Sequence, residues 1–309
     1  MSSHRNPKVF LIILGFILIL GFIFLPMIGY SAAEDRTIQA ETALPNKSYI
    51  LREVKSKETL LAENENLRSA PASTTKLLTG LVALDYVSEN DLIEVGNEVN
   101  AIEGSRLGLK AGDKIFVRDL LTAMYLMSAN DAAAALAVGA KGSIPEFARA
   151  MNEYAKRLSL DDSNFVNPHG LPDPNHYTTA SDLSKIALAF IQNQQLLNYA
   201  KTKDSKVTWM DYKGRTHSTI IHNTNQLLGI YPGNQGLKTG TTQEAGQCLV
   251  SYTTGPDGDL LLVLLGSQQR YTDAVKLIDQ GYAGLRTQAA LMRSAADPMS
   301  MINSPGFIP

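Results

Sequence analysis

Strand-like stretches lie at both ends of the globular part of this chain, with helical stretches between them, and that order limits what it can build. SYILREV (48–54) and TLLAENE (59–65) read as two strands around a turn at 55–58. LLTGLVALDYV (77–87) has the pattern of a helix that buries most of its surface. Residues 92–119 are Gly-punctuated small strands and turns. Helical patterns then follow at 117–127, 131–140, 144–160 and 181–193, the last opening on a serine cap. The stretch 161–180 holds three prolines and many turn formers, so it reads as a long ordered loop. A hairpin and loop at 205–229 precede three strands, GLKTGTT, GQCLVSYTT and DLLLVLLGS. Gly255-Pro256-Asp257-Gly258 turns between the last two, and a final helix, YTDAVKLIDQGYAGLR, follows. Strands so separated share a sheet only if both ends of the chain contribute to it. The expected class is α/β (α+β): an antiparallel sheet flanked by helices, with an inserted all-helical subdomain and a cleft where the two meet.

The N-terminus carries a different signal. Arg5 and Lys8 precede VFLIILGFILILGFIFLPMIGY (9–30), which has no charge, and Glu34, Asp35 and Arg36 follow. The run is long enough to span a bilayer, and the flanking charge places the N-terminus inside and the rest outside. An uncleaved anchor is expected over residues 1–33; the small residues at 31–33 leave a cleaved signal peptide as the alternative. Residues 34–47 read as a linker, 48–286 as the globular domain and 287–309 as a loosely held tail without a clear period. The formal net charge of −2 gives no basic field for nucleic acid. The single cysteine, Cys248, excludes an internal disulfide framework, and its strand-like setting predicts burial.

SAPASTTKLLTG (69–80) raises a chemical question. After Pro71, the hydroxyls of Ser73, Thr74 and Thr75 suit a helix start, where side-chain oxygens accept orphan N–H groups. Lys76 does not suit it, because a first-turn cation opposes the helix dipole. Ser73 and Lys76, three apart, share a helix face. A serine hydroxyl beside an amine is one way to make a nucleophile.

Two further motifs stand out. Ser128-Ala-Asn130 is a polar break between two apolar helices, and Lys238-Thr239-Gly240 is framed by strand sequence, where a glycine lets a ligand or a second backbone approach. Each motif alone is weak; a second Ser-x-Asn, Ser88-Glu89-Asn90, reads as a helix terminus. The three together match the set found in penicillin-binding proteins and serine β-lactamases. With PASTTKLLTGLVAL, MSANDAAAALA, NFVNPHGLPDPNHYTTASDLSKIA, NTNQLL and GLKTGTTQEAGQCLVS, the chain resembles the D-alanyl-D-alanine carboxypeptidase family of low-molecular-mass penicillin-binding proteins over roughly 45–285.

The resemblance implies a β-lactamase/transpeptidase-like fold and a serine-type carboxypeptidase acting on peptidoglycan stem peptides that end in D-Ala-D-Ala, with β-lactams as covalent inhibitors. It implies Ser73 as nucleophile, Lys76 as its base and Ser128 as proton relay to the leaving amine. Asn130 would hold the substrate amide and fix the lysine. Lys238 and Thr239 would receive the substrate's anionic end. The N–H groups of Ser73 and Thr241 would form the oxyanion hole beside Gly240. Arg270 would help bind the terminal carboxylate; the alternative is a solvated arginine at a helix start. No cofactor and no metal is implied. Thr241 departs from the family, which often has an aromatic residue or histidine there. Longer members carry a second β-rich domain and a C-terminal amphipathic anchor; here the N-terminal helix would supply the tether, at the outer face of a bacterial membrane.

Other readings have less support. The five histidines show no His-Glu-x-x-His, and no Gly-x-Ser-x-Gly occurs, which disfavours a zinc peptidase and an α/β-hydrolase. His169 reads as a loop-fixing residue. VNPHGLPDPNHY holds no glutamate to activate a deacylating water, so a stable β-lactam adduct is expected rather than fast hydrolysis. A transpeptidase or endopeptidase would use the same residues, and a slow β-lactam-sensing or wall-binding module is the non-enzymatic alternative.

Overall fold

The computed structural model describes residues 46–296, all within the unit Leu44–Pro309. The apolar run at 9–30 and all but the last two residues of the expected linker lie outside them. No helix among the described residues is long and apolar enough to cross a membrane.

The main sheet joins the two ends of the chain. Strands β1 (Ser48–Glu53) and β2 (Thr59–Glu63) pair with β7 (Asn234–Thr242), β8 (Gly246–Thr253) and β9 (Leu260–Ser267) in the antiparallel order β2-β1-β9-β8-β7. The central strand β9 is buried along its whole length. Leu261, Val263 and Leu265 enter one core, while Leu260, Leu262 and Leu264 enter another with Leu277 and Ile278. A strand covered on both faces needs an unbroken apolar run, and LLLVLLG supplies one. The period of two sends alternate residues to opposite sides.

The inserted segment packs on the first face. Its helices are α1 (Lys76–Ala83), α2 (Val117–Leu126), α3 (Asn130–Lys141), α4 (Ile144–Arg157), α5 (Ala180–Gln192) and α6 (Gln194–Lys201). Besides these it carries a second sheet. Strands β3 (Leu92–Glu94) and β4 (Lys114–Phe116) pair with the hairpin β5 (Asp204–Met210) and β6 (Thr216–His222), in the order β3-β4-β5-β6. The small strands and the hairpin were expected from the sequence, but not their union in one sheet, because its halves lie on either side of the helices. The cap of α5 is Thr179, whose hydroxyl accepts the Asp182 N–H at 3.0 Å, and not the serine two residues on. The last helix, α7 (Arg270–Ala296), covers the other sheet face and runs ten residues into the segment expected to be a tail.

Leu262 is fully buried in the sheet–α7 core. Truncation to alanine is expected to cost about 2–5 kcal/mol, the usual range for a buried leucine. Ile220 is 66% exposed on edge strand β6, and Ile220→Thr should fall within about 0.5 kcal/mol. Urea unfolding of both variants measures the contrast.

Candidate active site

Ser73 lies in a 3₁₀ turn, Ala72–Thr75, that leads directly into α1. The threonines do not cap this helix as their position suggested. Thr74 donates to the Pro71 carbonyl at 2.6 Å and Thr75 to the Ala72 carbonyl at 2.8 Å. Their hydroxyls tighten the turn on itself instead of accepting its orphan N–H groups. Ala72 sits at φ 48°, a left-handed conformation that costs a residue with a Cβ about 1–3 kcal/mol. The hydroxyl bonds help hold it there.

The loop after α4 clamps the turn from outside. Ser69 and Thr178 exchange backbone bonds at 2.8 and 3.0 Å. His176 Nδ1 accepts the Val166 N–H at 3.1 Å, so its proton resides on Nε2, 2.9 Å from Thr75 Oγ1. The relay therefore runs from Val166 N–H through His176 and Thr75 to the Ala72 carbonyl. Loop fixing, assigned from sequence to His169, is done by the His176 side chain as well. His169 contributes through its backbone, and its Nδ1 accepts the Leu171 N–H at 3.2 Å.

Lys76 is fully buried at the first position of α1. Its Nζ lies 2.8 Å from Ser73 Oγ, 2.7 Å from Asn130 Oδ1 and 2.7 Å from the His169 carbonyl oxygen. Burial, and next the charge of Lys238, push the amine well below its ordinary value of 10.5, while Asp131 pulls the other way. A neutral amine has two N–H groups and one lone pair. Asn130 Oδ1 and the His169 carbonyl only accept, so they take the two N–H groups. The lone pair is left for the one partner that can donate, the Ser73 hydroxyl.

Asn130 is oriented by its other end, which donates to the Glu103 carbonyl at 2.8 Å, and its own N–H donates to the Ser105 carbonyl at 2.7 Å. Asp131 next to it is fully buried. Its carboxylate accepts the backbone N–H groups of Leu107, Gly108 and Leu109 at 2.8–3.1 Å, pinning the loop that walls the cleft. Ser128 is half-buried on the cleft wall at φ 63°. Its hydroxyl has no hydrogen-bond partner among the described residues.

Edge strand β7 forms the opposite wall. A Cβ on Gly240 would lie 3.0 Å from the Ser73 nitrogen and 3.2 Å from the Pro71 oxygen. What the glycine admits is therefore a second backbone, that of the nucleophile turn. Lys238 is 1% exposed, and the one side-chain hydrogen bond of its amine among the described residues goes to the Thr239 carbonyl at 3.1 Å. Burial, then Arg270, lower it to about 7. Thr239 and Thr224 share a hydroxyl bond of 2.7 Å.

Arg270, at the first turn of α7, is half-buried and tied down by hydrogen bonds. Nη1 donates to the carbonyls of Gly240 at 2.8 Å and Cys248 at 3.0 Å, Nε donates to Gln247 Oε1 at 3.3 Å, and Nη2 donates to Thr241 Oγ1. One of its five N–H donors is left over. Cys248 is buried, and burial raises its thiol to about 11. A cavity of ≈ 410 Å³ is lined by Ser73, Ser128, Asn130, Thr239, Thr241 and Arg270 among others, with the two lysines behind its walls.

This geometry has counterparts among known proteins. Residues 34–269 match the peptidase S11 family, D-alanyl-D-alanine carboxypeptidase. The chain belongs to that family. It is 30% identical over 273 residues to D-alanyl-D-alanine carboxypeptidase DacF of Bacillus subtilis, covering 85% of this chain and 69% of the relative. It is 31% identical to DacC of Escherichia coli, covering 86% and 67%. The chain thus spans about two thirds of the length of these relatives. Among solved structures, the Streptomyces K15 DD-transpeptidase aligns with a TM-score of 0.73 at 29% identity, over 76% of this chain and 96% of that one. DacD of Francisella tularensis aligns at 0.70 and 26%, over 75% and 69%. The fold is the penicillin-binding, β-lactamase-like one, and the chain is a serine peptidase.

Two predictions follow from this packing. Gly240→Ala forces Ser73 and β7 apart by a few tenths of an ångström. Acylation by a fluorescent penicillin should then slow about tenfold, on a scale where ~1 Å costs ~10²-fold. The second concerns the buried imidazoles. Burial first, then the charge of Lys76, lowers His169 to about 3; burial, opposed by Asp173 and aided by Lys76, lowers His176 to about 4. The unfolded chain, with its imidazoles near 6.5, therefore binds more protons than the folded one as pH falls below that value. Their contribution to stability is complete above ~6.5 and is lost down toward the folded values. Urea midpoints should fall between pH 7 and pH 4, and His176→Gln should flatten that dependence.

Proposed function

We propose that this protein is a serine-type D-Ala-D-Ala carboxypeptidase that removes the terminal D-alanine from peptidoglycan stem peptides through an acyl-enzyme on Ser73. The observation that carries the proposal is the desolvated Lys76 amine, with two fixed acceptors and its lone pair aimed at the Ser73 hydroxyl.

Ser73 Oγ attacks the carbonyl between the two D-alanines and passes its proton to Lys76 Nζ. The amides of Ser73, at the turn, and Thr241, on the edge strand, hold the oxyanion. The tetrahedral adduct collapses, the C–N bond breaks, and the departing amine takes a proton from Lys76 through Ser128, whose hydroxyl is free to turn toward it. Water then attacks the ester with Lys76 again as base, releasing the shortened peptide and restoring Ser73. Asn130 donates no hydrogen to the lysine, and its amide faces the cleft to hold the substrate backbone. Lys238, a buried amine without an anionic partner among the described residues, receives the terminal carboxylate with Thr239. Arg270 adds its remaining N–H and keeps Gly240 and Thr241 in register. A β-lactam would enter the same sequence and stop at the acyl-enzyme, since the loop over Lys76 holds no glutamate to activate water and no carboxylate is among the described residues that line the cleft.

The likeness to the DD-transpeptidase favours a second reading, in which an amine acceptor replaces water. The charge pattern around residues 9–30 supports action at the outer membrane face, tethered by that segment.

D-alanine release from a peptide ending Lys-D-Ala-D-Ala tests the proposal, with penicillin labelling beside it. Wild type should give both signals, and Ser73→Ala should lower turnover by at least ~10⁴-fold and lose the label. Labelling without D-alanine release, restored by an added amine, selects the transpeptidase. Labelling with neither overturns both enzymatic readings.

A further inference from the structure

A proton relay works only if its hydroxyl is aimed, and the Ser128 hydroxyl has no hydrogen-bond partner among the described residues to aim it. Its direction is set by the backbone that carries it. That backbone is strained. Ser128 sits at φ 63°, in the left-handed region, which is costly for a residue with a Cβ and is kept only where the surroundings impose it.

The peptide units around Ser128 are each held. The Met127 carbonyl accepts the Ser105 hydroxyl at 2.6 Å. The Ala129 N–H donates to the Ala123 carbonyl at 3.1 Å, and the Asn130 N–H donates to the Ser105 carbonyl at 2.7 Å. Ser105 therefore grips the chain on both sides of Ser128, with its side chain before it and its backbone after it. The units held by Ser105 Oγ and by Ala123 flank the φ and ψ of Ser128. Fixing both fixes the direction of its Cα–Cβ bond. Gly104, at φ 77°, lets the loop come this close, since a Cβ there would lie 2.9 Å from Asn130 Nδ2.

The hydroxyl of Ser105 is the specific element in this clamp. Any residue offers the carbonyl, and Asp131 already pins the same loop through the N–H groups of 107–109. Ser105 is exposed and lines the catalytic cavity, where its hydroxyl has solvent to bond. It turns back instead to the peptide that precedes the strained residue, at a distance that is good for a hydroxyl donor.

We propose that Ser105 is a positioning residue for proton delivery to the leaving amine, acting through Ser128 and not on the substrate. The inference rests on the relay role given to Ser128 in the proposed function. In that step the C–N bond of the tetrahedral adduct breaks, the nitrogen takes the Ser128 hydroxyl proton, and Ser128 takes a proton from the Lys76 ammonium. Without the bond from Ser105, the Met127–Ser128 peptide turns out of the left-handed region and carries the hydroxyl off line.

A leaving group that needs no proton separates this role from a general structural one. The full chain in detergent is given two substrates: a peptide ending Lys-D-Ala-D-Ala, and the thioester of the same acyl group with thioglycolate in place of the last D-alanine. The thiolate departs unprotonated, and kcat/KM covers the steps up to that departure. Ser105→Ala should lower kcat/KM about tenfold on the amide, part of the ~10²–10⁴-fold that general acid–base catalysis supplies, and less than about twofold on the thioester. Ser105→Thr, which keeps the hydroxyl, should restore the amide value. Equal losses on the two substrates, no loss on the amide, or a loss that threonine does not rescue overturns the positioning role. Ser128→Ala tests the relay beneath it and should cost the amide more than the thioester. An equal loss there removes the relay and this proposal with it, while leaving the nucleophile assignment standing. If wild type releases no D-alanine, the peptidase reading fails. Penicillin, whose ring nitrogen takes up the same proton as the ring opens, then replaces the amide in the comparison, and its acylation rate decides the role of Ser105.

Discussion

One buried amine organises this molecule. The three contacts of Lys76 Nζ come from the turn that opens α1, the head of α3 and the loop after α4, with sequence separations of 3, 54 and 93. Each partner is fixed from behind: Ser73 by its strained turn, Asn130 by Glu103, and the His169 carbonyl by a loop bonded to Ser69 through Thr178. A lysine without a carboxylate in contact is a costly thing to bury. The surrounding packing meets that cost, and what remains is an amine that gives up its proton readily. Lys238 repeats the theme on the facing strand, so the cleft is bounded by two desolvated amines. Neutralising one eases the burial of the other.

Much of this was legible in the chain. The three short motifs fell at a helix start, a helix–helix junction and an edge strand, because hydroxyls, amides and glycines in those settings conflict with ordinary packing. The main sheet followed from strand patterns at both ends. What escaped had physical reasons. The His169 contribution is a carbonyl, which every residue has. His176 acts through Thr75, a contact across a sequence separation of 101 that no local pattern encodes. Asp131 did leave a trace, as the acid heading the alanine-rich helix, yet its ligands are backbone amides of a featureless loop. The short strands and the hairpin of the second sheet were read, but not their pairing, because the helices lie between them in the sequence.

Arg270 shows how a plausible reading can change under geometry. From sequence it was either a carboxylate binder or a solvated helix-start residue. In the structure four of its donors tie β7 to β8 and to Thr241, with a single donor left for a substrate. That arrangement suits Thr241, a short hydroxyl residue that accepts from Arg270 Nη2. The arginine fills the space and steadies an edge strand that pairs on one side only.

The close packing of Gly240 on the nucleophile turn, where a Cβ would come within 3.0 Å of the Ser73 nitrogen, has a consequence for biogenesis. The nucleophile turn is made early in synthesis, but its facing wall is made from residues some 165 positions later. Such non-local closure comes late in folding. A chain that is only partly collapsed therefore holds a serine without a site, and is inert. Penicillin labelling accordingly counts molecules whose last sheet strands have docked, and serves as a census of finished protein.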